Sequence, residues 1–295
     1  MAANDIKGAD IAAKINASII QTLEDMKTAY EAKKASGGAD WAAPKLAILR
    51  VGENKDDLRY EKGIIRRFTE LGLRCEVFAY PADIGHSDFV TAVKRANDDN
   101  DISGILIFRP LPSQINDRAI TEIINPAKDV DGISPVNMAK VFSADSSGFA
   151  PCTAVACVSV LDHAGIAIEG AKIVVAGRSL VVGKPLSMLL LNRNATVTIC
   201  HSRTKNLPAV CREAEILVSC IGRAKMLGAD CVNPGAVVID VGINFDENGK
   251  LCGDMDYEAV APIAGAITPV PGGVGSVTTS VLAGNLVKAA AQARA

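Results

Sequence analysis

Net charge is almost absent from this 295-residue chain: 31 Lys and Arg stand against 33 Asp and Glu, a formal charge of -2. Such a balance excludes a field that would hold a nucleic-acid backbone or an anionic membrane surface, so an anionic ligand must be met by a local cluster. The eight cysteines (75, 152, 157, 200, 211, 220, 231 and 252) form no CxxC pair and no zinc-like spacing with histidine. Several lie in apolar runs such as ATVTIC and EILVSC, which reads as small buried hydrophobes in a reducing compartment rather than metal ligands or disulfides. Of the three histidines, His86 and His163 show no partner at useful spacing, and His201 reads equally as a helix- or strand-terminus residue. No apolar run approaches the ~18 residues of a membrane span, and acids early in MAANDIKGADIAAKINASIIQ argue against a signal peptide. A cytoplasmic protein without membrane or nucleic-acid partners is expected. Neither an internal repeat nor a low-complexity tract is visible.

Hydrophobic residues make up 49% of the chain, and the mean hydropathy is +0.22. The length allows two domains of ordinary size. DIAAKINASIIQTLEDMKTAYEAKK has helical spacing; KLAILRV, RCEVFAY and SGILIF read as short strands separated by helices. That alternation predicts a parallel sheet covered on both faces. FSADSSGFAPCT is small and polar and reads as a linker. After it come helix AVACVSVLDHAGI and four apolar runs, KIVVAG, ATVTIC, AEILVSCIG and AVVIDVGI, which fit strands buried on both faces. The fold class expected is α/β: two α/β domains with a cleft between them, the second Rossmann-like with a parallel sheet. The expected divisions are 1–148 and 149–276, with a final helix over 277–295 that packs back on the first domain.

In KIVVAGRSLVVGKP a strand runs directly into Gly177, and a helix starts after Gly183. A glycine turn before a helix N-terminus suits a pyrophosphate, although the spacing is not G-x-G-x-x-G and also serves an ordinary strand-to-helix turn. NAD binders place an acid at the end of the second strand. Here that strand ends TICHSRT, putting Ser202 and Arg203 at the position, with Arg178 in the first turn. Two guanidinium groups and a hydroxyl suit a 2′-phosphate, so NADP is expected over NAD. A solvated surface position for Arg203 is the plain alternative.

The set KDVDG, PCT, GRSLVVGKP, ATVTICHSRT, VVIDVGIN, GDMDY and TPVPGGVGSVTT, in order and nearly end to end, resembles the methylenetetrahydrofolate dehydrogenase/cyclohydrolase family of the FolD type. The resemblance implies a folate cleft between two lobes, a Rossmann-like second lobe and a homodimer. It implies that Tyr60 stacks near the folate, that Asp131 hydrogen-bonds the pterin and that Pro271, Gly272 and Gly273 form a loop beside it. On the cofactor side it implies that Gly177, Arg178, Ser179, Gly183, Ser202 and Arg203 hold the dinucleotide and that Ile243 lies near the nicotinamide. Read without the family, Asp131 is a turn aspartate and PVPGGVG a rigid loop.

Three positions depart from the family pattern. The helix RYEKGIIRRF carries Ile64 where the family has a lysine four residues after the tyrosine. Phe108 replaces a glutamine, with Arg109 beside it, and Asp57 replaces a serine. Lys62 is two residues from Tyr60, about 200 degrees around a helix, and Arg66 is also displaced and stays protonated. Hydride transfer from a methylene carbon to NADP needs alignment and no proton movement, whereas hydrolysis of the resulting cation needs timed proton transfer. The expectation is a dehydrogenase with weak or absent cyclohydrolase activity. The alternatives are an ordinary bifunctional enzyme using Arg109, Asp57 or water, a non-catalytic binding paralogue, or an enzyme for another one-carbon carrier.

Overall fold

The computed structural model describes residues 4–34 and 40–294. Along the chain run β1 (Asn4–Asp5), α1 (Gly8–Lys34), β2 (Lys45–Val51), α2 (Lys55–Glu70), β3 (Arg74–Tyr80), α3 (His86–Asp98), β4 (Gly104–Ile107), α4 (Asp117–Ile123) and α5 (Pro135–Phe142). There follow α6 (Cys152–His163), β5 (Lys172–Ala176), α7 (Gly183–Leu191), β6 (Thr196–Cys200), α8 (Leu207–Cys211), β7 (Ile216–Ser219) and β8 (Val237–Asp240). The hairpin strands β9 (Asn244–Phe245) and β10 (Leu251–Cys252), then α9 (Tyr257–Val260), β11 (Ala266–Ile267) and α10 (Gly275–Arg294), complete the order. Two compact units result. One comprises Lys14–Lys140, Asp145–Ala150 and Thr279–Ala295; the other comprises Met1–Ala13, Val141–Ala144 and Pro151–Thr278.

The unit of residues 14–140 holds a parallel sheet of order β3-β2-β4. Leu46, Ala47, Ile48 and Leu49 of its middle strand are fully buried, as an unbroken apolar run between two covered faces requires. Ala47, Leu49, Ile105 and Ile107 pack with Phe89 and Val93 of α3 and Ile120 of α4 into one core. Asn54 begins α2 by accepting a hydrogen bond from the Asp56 N–H at 2.8 Å, which satisfies one of the free amides of the first turn. The C-terminal part of α10 lies on this unit: Asn285 Nδ2 donates to the Val130 carbonyl at 2.8 Å, and Lys288 Nζ to that of Ser146 at 2.7 Å.

The other unit is built on six parallel strands in the order β1-β11-β8-β7-β5-β6. Strands β5, β7 and β8 are the buried centre, as their unbroken apolar runs lead one to expect. The run ATVTIC behaves differently. Among the described residues β6 pairs only with β5, and Thr196, Thr198 and Ile199 are exposed. Its alternating threonines are the mark of an edge strand with one open face, not of a strand buried on both. The far edge is made by β1, whose Asn4 and Asp5 sit in register with Ala266 and Ile267. Six of the eight cysteines are buried, and Cys75 and Cys220 are half-buried. Among the described residues, no helix is long and apolar enough to cross a membrane.

Candidate functional site

Each unit gathers some of the residues singled out above. In the first, α2 presents its apolar stripe inward: Ile64 and Phe68 are fully buried, Tyr60 is half-buried, and Lys62 and Arg66 are exposed. The helix is fixed in rotation by an ion pair at its base. Arg50, at the end of β2, donates from Nε to Glu61 Oε2 at 2.8 Å, with both side chains largely buried, and its Nη1 donates to the Gly52 carbonyl. Pinning Glu61 also sets the direction of its neighbour Tyr60.

The Tyr60 ring meets Phe108, which follows β4, with centroids 5.7 Å apart and planes inclined by 34°. Phe108 is 6% exposed and gives Tyr60 a second aromatic face. A phenyl ring offers no proton donor or acceptor. Arg109 does not supply one either. Its guanidinium forks onto Asp117 in the first turn of α4, with Nε 2.7 Å from Oδ1 and Nη2 on Oδ2. Asp57, three residues before Tyr60, is half-buried, and burial, with Asp56 nearby, raises its carboxyl above the usual range.

The two acids of KDVDG have separate roles. Asp129 is fully buried and accepts from the N–H groups of Ile133 at 2.9 Å and Ser134 at 2.8 Å and from Asn137 Nδ2 at 2.9 Å. It closes the turn that leads into α5. Asp131 is half-buried, two residues on. Asp129 thus serves the turn, a role for this residue that sequence reasoning had passed over.

In the second unit a cavity of about 250 Å³ opens at the carboxyl ends of β5 and β6, lined by Gly177, Arg178, Ser179, Cys200, His201 and Ser202. The carboxyl ends of parallel strands are where open α/β sheets bind ligands. Gly177 has φ +140, and a Cβ there would stand 2.5 Å from the Cys220 carbonyl oxygen. A Cβ on Gly183 would collide with the Gly177 carbonyl. Only glycine lets the turn pass so close to the start of α7, where the Lys184 N–H donates to the Ser179 carbonyl at 3.0 Å and the Leu186 N–H to that of Val182 at 2.9 Å. Ser179 Oγ accepts from the Val182 N–H at 3.1 Å and shapes the same turn.

The turn, helix start, two guanidinium groups and hydroxyls suit a dinucleotide with its phosphates. Of the expected cofactor residues, Gly177, Arg178, Ser179 and Ser202 line the cavity. Gly183 stands behind the lining at the head of α7, and Arg203 is exposed next to Ser202, its N–H donating to His201 Nδ1 at 3.1 Å. Ile243 is 67% exposed. The loop Pro271–Gly273 is held by the Gly8 N–H at the start of α1, which donates to the Gly272 carbonyl at 2.7 Å; Gly272 has φ +103. The opposite wall of the cavity, Ile221, Arg223 and Met226, was not found by sequence reasoning. Only its position after an apolar strand could have signalled it.

Comparison with known proteins agrees with this geometry. A model of the NAD(P)-binding domain of tetrahydrofolate dehydrogenase/cyclohydrolase matches residues 151–294, and one of the catalytic domain matches residues 6–131. The chain is 50% identical over 284 residues to the bifunctional protein FolD of Clostridioides difficile, covering 96% of this chain and 95% of the relative. The crystal structure of the bifunctional FolD enzyme, methylenetetrahydrofolate dehydrogenase/cyclohydrolase, from Campylobacter jejuni has a TM-score of 0.92 at 34% identity, over 99% of this chain and 100% of that one. The FolD enzyme of Trypanosoma brucei, complexed with NADP and an inhibitor, has a TM-score of 0.91 at 30% identity, over 100% of both chains.

Proposed function

This chain belongs to the tetrahydrofolate dehydrogenase/cyclohydrolase family, and we propose that within it the protein is an NADP-dependent 5,10-methylenetetrahydrofolate dehydrogenase of one-carbon metabolism with weak or absent cyclohydrolase activity. The observation that carries the second half is Ile64, fully buried on the Tyr60 helix where the family pattern has a lysine.

Gly177, Arg178, Ser179, Ser202 and Arg203 would hold NADP, which supplies the hydride acceptor when bound. Tyr60 and Phe108 would give the folate an apolar ring face to lie against, and Asp131 a carboxylate for the pterin. Alignment of this kind suffices for hydride transfer, because the two folate nitrogens stabilise the cation left behind. Hydrolysis of that cation needs a positioned proton carrier, worth typically ~100- to 10,000-fold. Ile64 and Phe108 carry no titratable group, and Arg109 is already occupied by Asp117. The family resemblance also supports a homodimer.

The ordinary bifunctional reading is favoured by the near-full-length identity to a relative described as bifunctional. In this chain Asp57, whose carboxyl burial raises above the usual range, lies three residues before Tyr60 and, among the described residues, forms no salt bridge, which makes it a candidate proton carrier. A paired assay separates the two: NADP reduction with methylenetetrahydrofolate, then decay of authentic methenyltetrahydrofolate against the uncatalysed rate. Reduction without accelerated decay supports the monofunctional reading. Accelerated decay that is lost in Asp57→Asn supports the bifunctional one.

A further inference from the structure

The acids of two motifs, VVIDVGIN and GDMDY, have no role in the account so far, yet they lock together beneath the wall of the cavity. Asp254 of the second motif is fully buried and accepts five hydrogen bonds. Its Oδ2 takes the Ile221 N–H at 2.6 Å and Ser219 Oγ at 3.1 Å; its Oδ1 takes the N–H groups of Gly222 at 3.0 Å and Arg223 at 2.9 Å and Asn244 Nδ2 at 2.9 Å. Three successive amides converging on one carboxylate make an anion-holding nest filled by the protein itself.

Asp254 is in turn held by Asp240 of the first motif, whose Oδ1 accepts the Asp254 N–H at 3.0 Å and the Gly242 N–H at 3.0 Å, while its Oδ2 accepts the Met255 N–H at 2.9 Å. The approach is so close that a Cβ on Gly242 would overlap the Asp254 carboxylate, and one on Gly253 the Asp240 carboxylate. The glycines of both motifs are therefore required by the lock rather than by a turn. The groups it fixes are functional in placement. Ile221 and Arg223 line the cavity, and exposed Ile243 sits between Gly242 and Asn244, each bonded to one of the two carboxylates.

We propose that Asp254 is a positioning residue for the dinucleotide: by gathering the Ile221–Arg223 amides and Asn244, it sets the cavity wall and the Ile243 loop in one fixed relation before cofactor arrives. This rests on reading the cavity as the NADP site. A carboxylate is needed because an amide has a single acceptor oxygen. Asn at 254 can serve the Oδ1 set or the Oδ2 set, and its Nδ2 then faces donors on the other side. Loosening the wall makes the cofactor order it on binding, which lowers affinity.

The test is titration calorimetry of NADP with the whole protein, paired with hydrogen exchange of the Ile221, Gly222 and Arg223 amides in its absence. Asp254→Asn should weaken NADP binding at least tenfold and speed those three amides at least tenfold, relative to core amides of β5. Asn244→Ala, which leaves the carboxylate and its amides in place and removes one half-buried donor, should weaken binding about threefold with a smaller gain in exchange. It decides the matter if Asp254→Asn does not fold. Folded variants with wild-type affinity and wild-type exchange at 221–223 would overturn the proposal, even if they melt earlier. No binding of NADP or NAD by the wild-type protein would instead sink the cofactor reading, and exchange alone would then judge whether Asp254 sets the wall.

Discussion

The substitution Ile64→Lys, made with Phe108→Gln, puts a proton carrier and an amide where this chain has a buried alkyl group and a phenyl ring. Its cost follows from burial. Ile64 is fully enclosed, so removing it forfeits about 1.5–3 kcal/mol of apolar burial, and the lysine must place its amine in the same space. A total of about 2–4 kcal/mol, or a melting point lower by roughly 5–15 °C, is expected, which an ordinary domain survives at 25 °C. Desolvation lowers the pKa of the new amine toward neutrality, which suits it to general acid-base work. Decay of methenyltetrahydrofolate should therefore accelerate at least ~100-fold over wild type while NADP reduction changes by less than about tenfold. The assay is absorbance of the methenyl species at fixed enzyme concentration, with calorimetry as the check on folding. A folded double variant that reduces NADP but hydrolyses no faster than wild type would refute the proposed link between these two positions and a loss of cyclohydrolase activity.

Arg109→Ala breaks a half-exposed ion pair with Asp117 and should cost no more than about 1 kcal/mol, leaving the rate of methenyl decay unchanged; a fall in that rate would show that the guanidinium serves the reaction. Gly253→Ala drives a methyl into the Asp240 carboxylate and should cost about 3 kcal/mol or more in urea unfolding, whereas a wild-type midpoint would contradict the close approach. Burial, the largest influence, pushes the Asp240 carboxyl up to about 6 against three backbone N–H groups. Because the folded chain holds that proton more tightly than the unfolded chain does, the contribution is complete below about pH 4 and lost as pH rises through about 6, a swing of about 3 kcal/mol. The stability difference between Asp240→Asn and wild type should shift by that amount in favour of the variant between pH 4 and 7, and a pH-independent difference would refute it.

Much of the second unit was legible because its central strands are unbroken apolar runs, and the glycine turn of the cavity showed in residues 177–183. What escaped notice depends on chain segments meeting. Strand β1 is two polar residues with no pattern to read, and ATVTIC looks central until its lack of a second neighbour is known. Asp240 and Asp254 resemble surface acids in a list of residues, and only burial reveals them as acceptors for eight donors between them. The fate of Arg109 was likewise open until Asp117 was found beside it. The helical face carrying Tyr60 and Ile64, by contrast, follows from spacing alone and appears as expected.

The pairing of β1 with β11 has a consequence for synthesis. Asn4 and Asp5 leave the ribosome about 260 residues ahead of the strand that receives them, Ala266–Ile267. At ~5–20 residues per second, the early strand waits roughly 15–50 s for its partner. Strands β5, β6, β7 and β8 can assemble during that interval, while the edge of β8 that β11 will cover remains open. The nascent chain thus carries an unfinished sheet edge through the whole of that interval, and closing it is the step at which two segments made far apart in time become neighbours in one sheet.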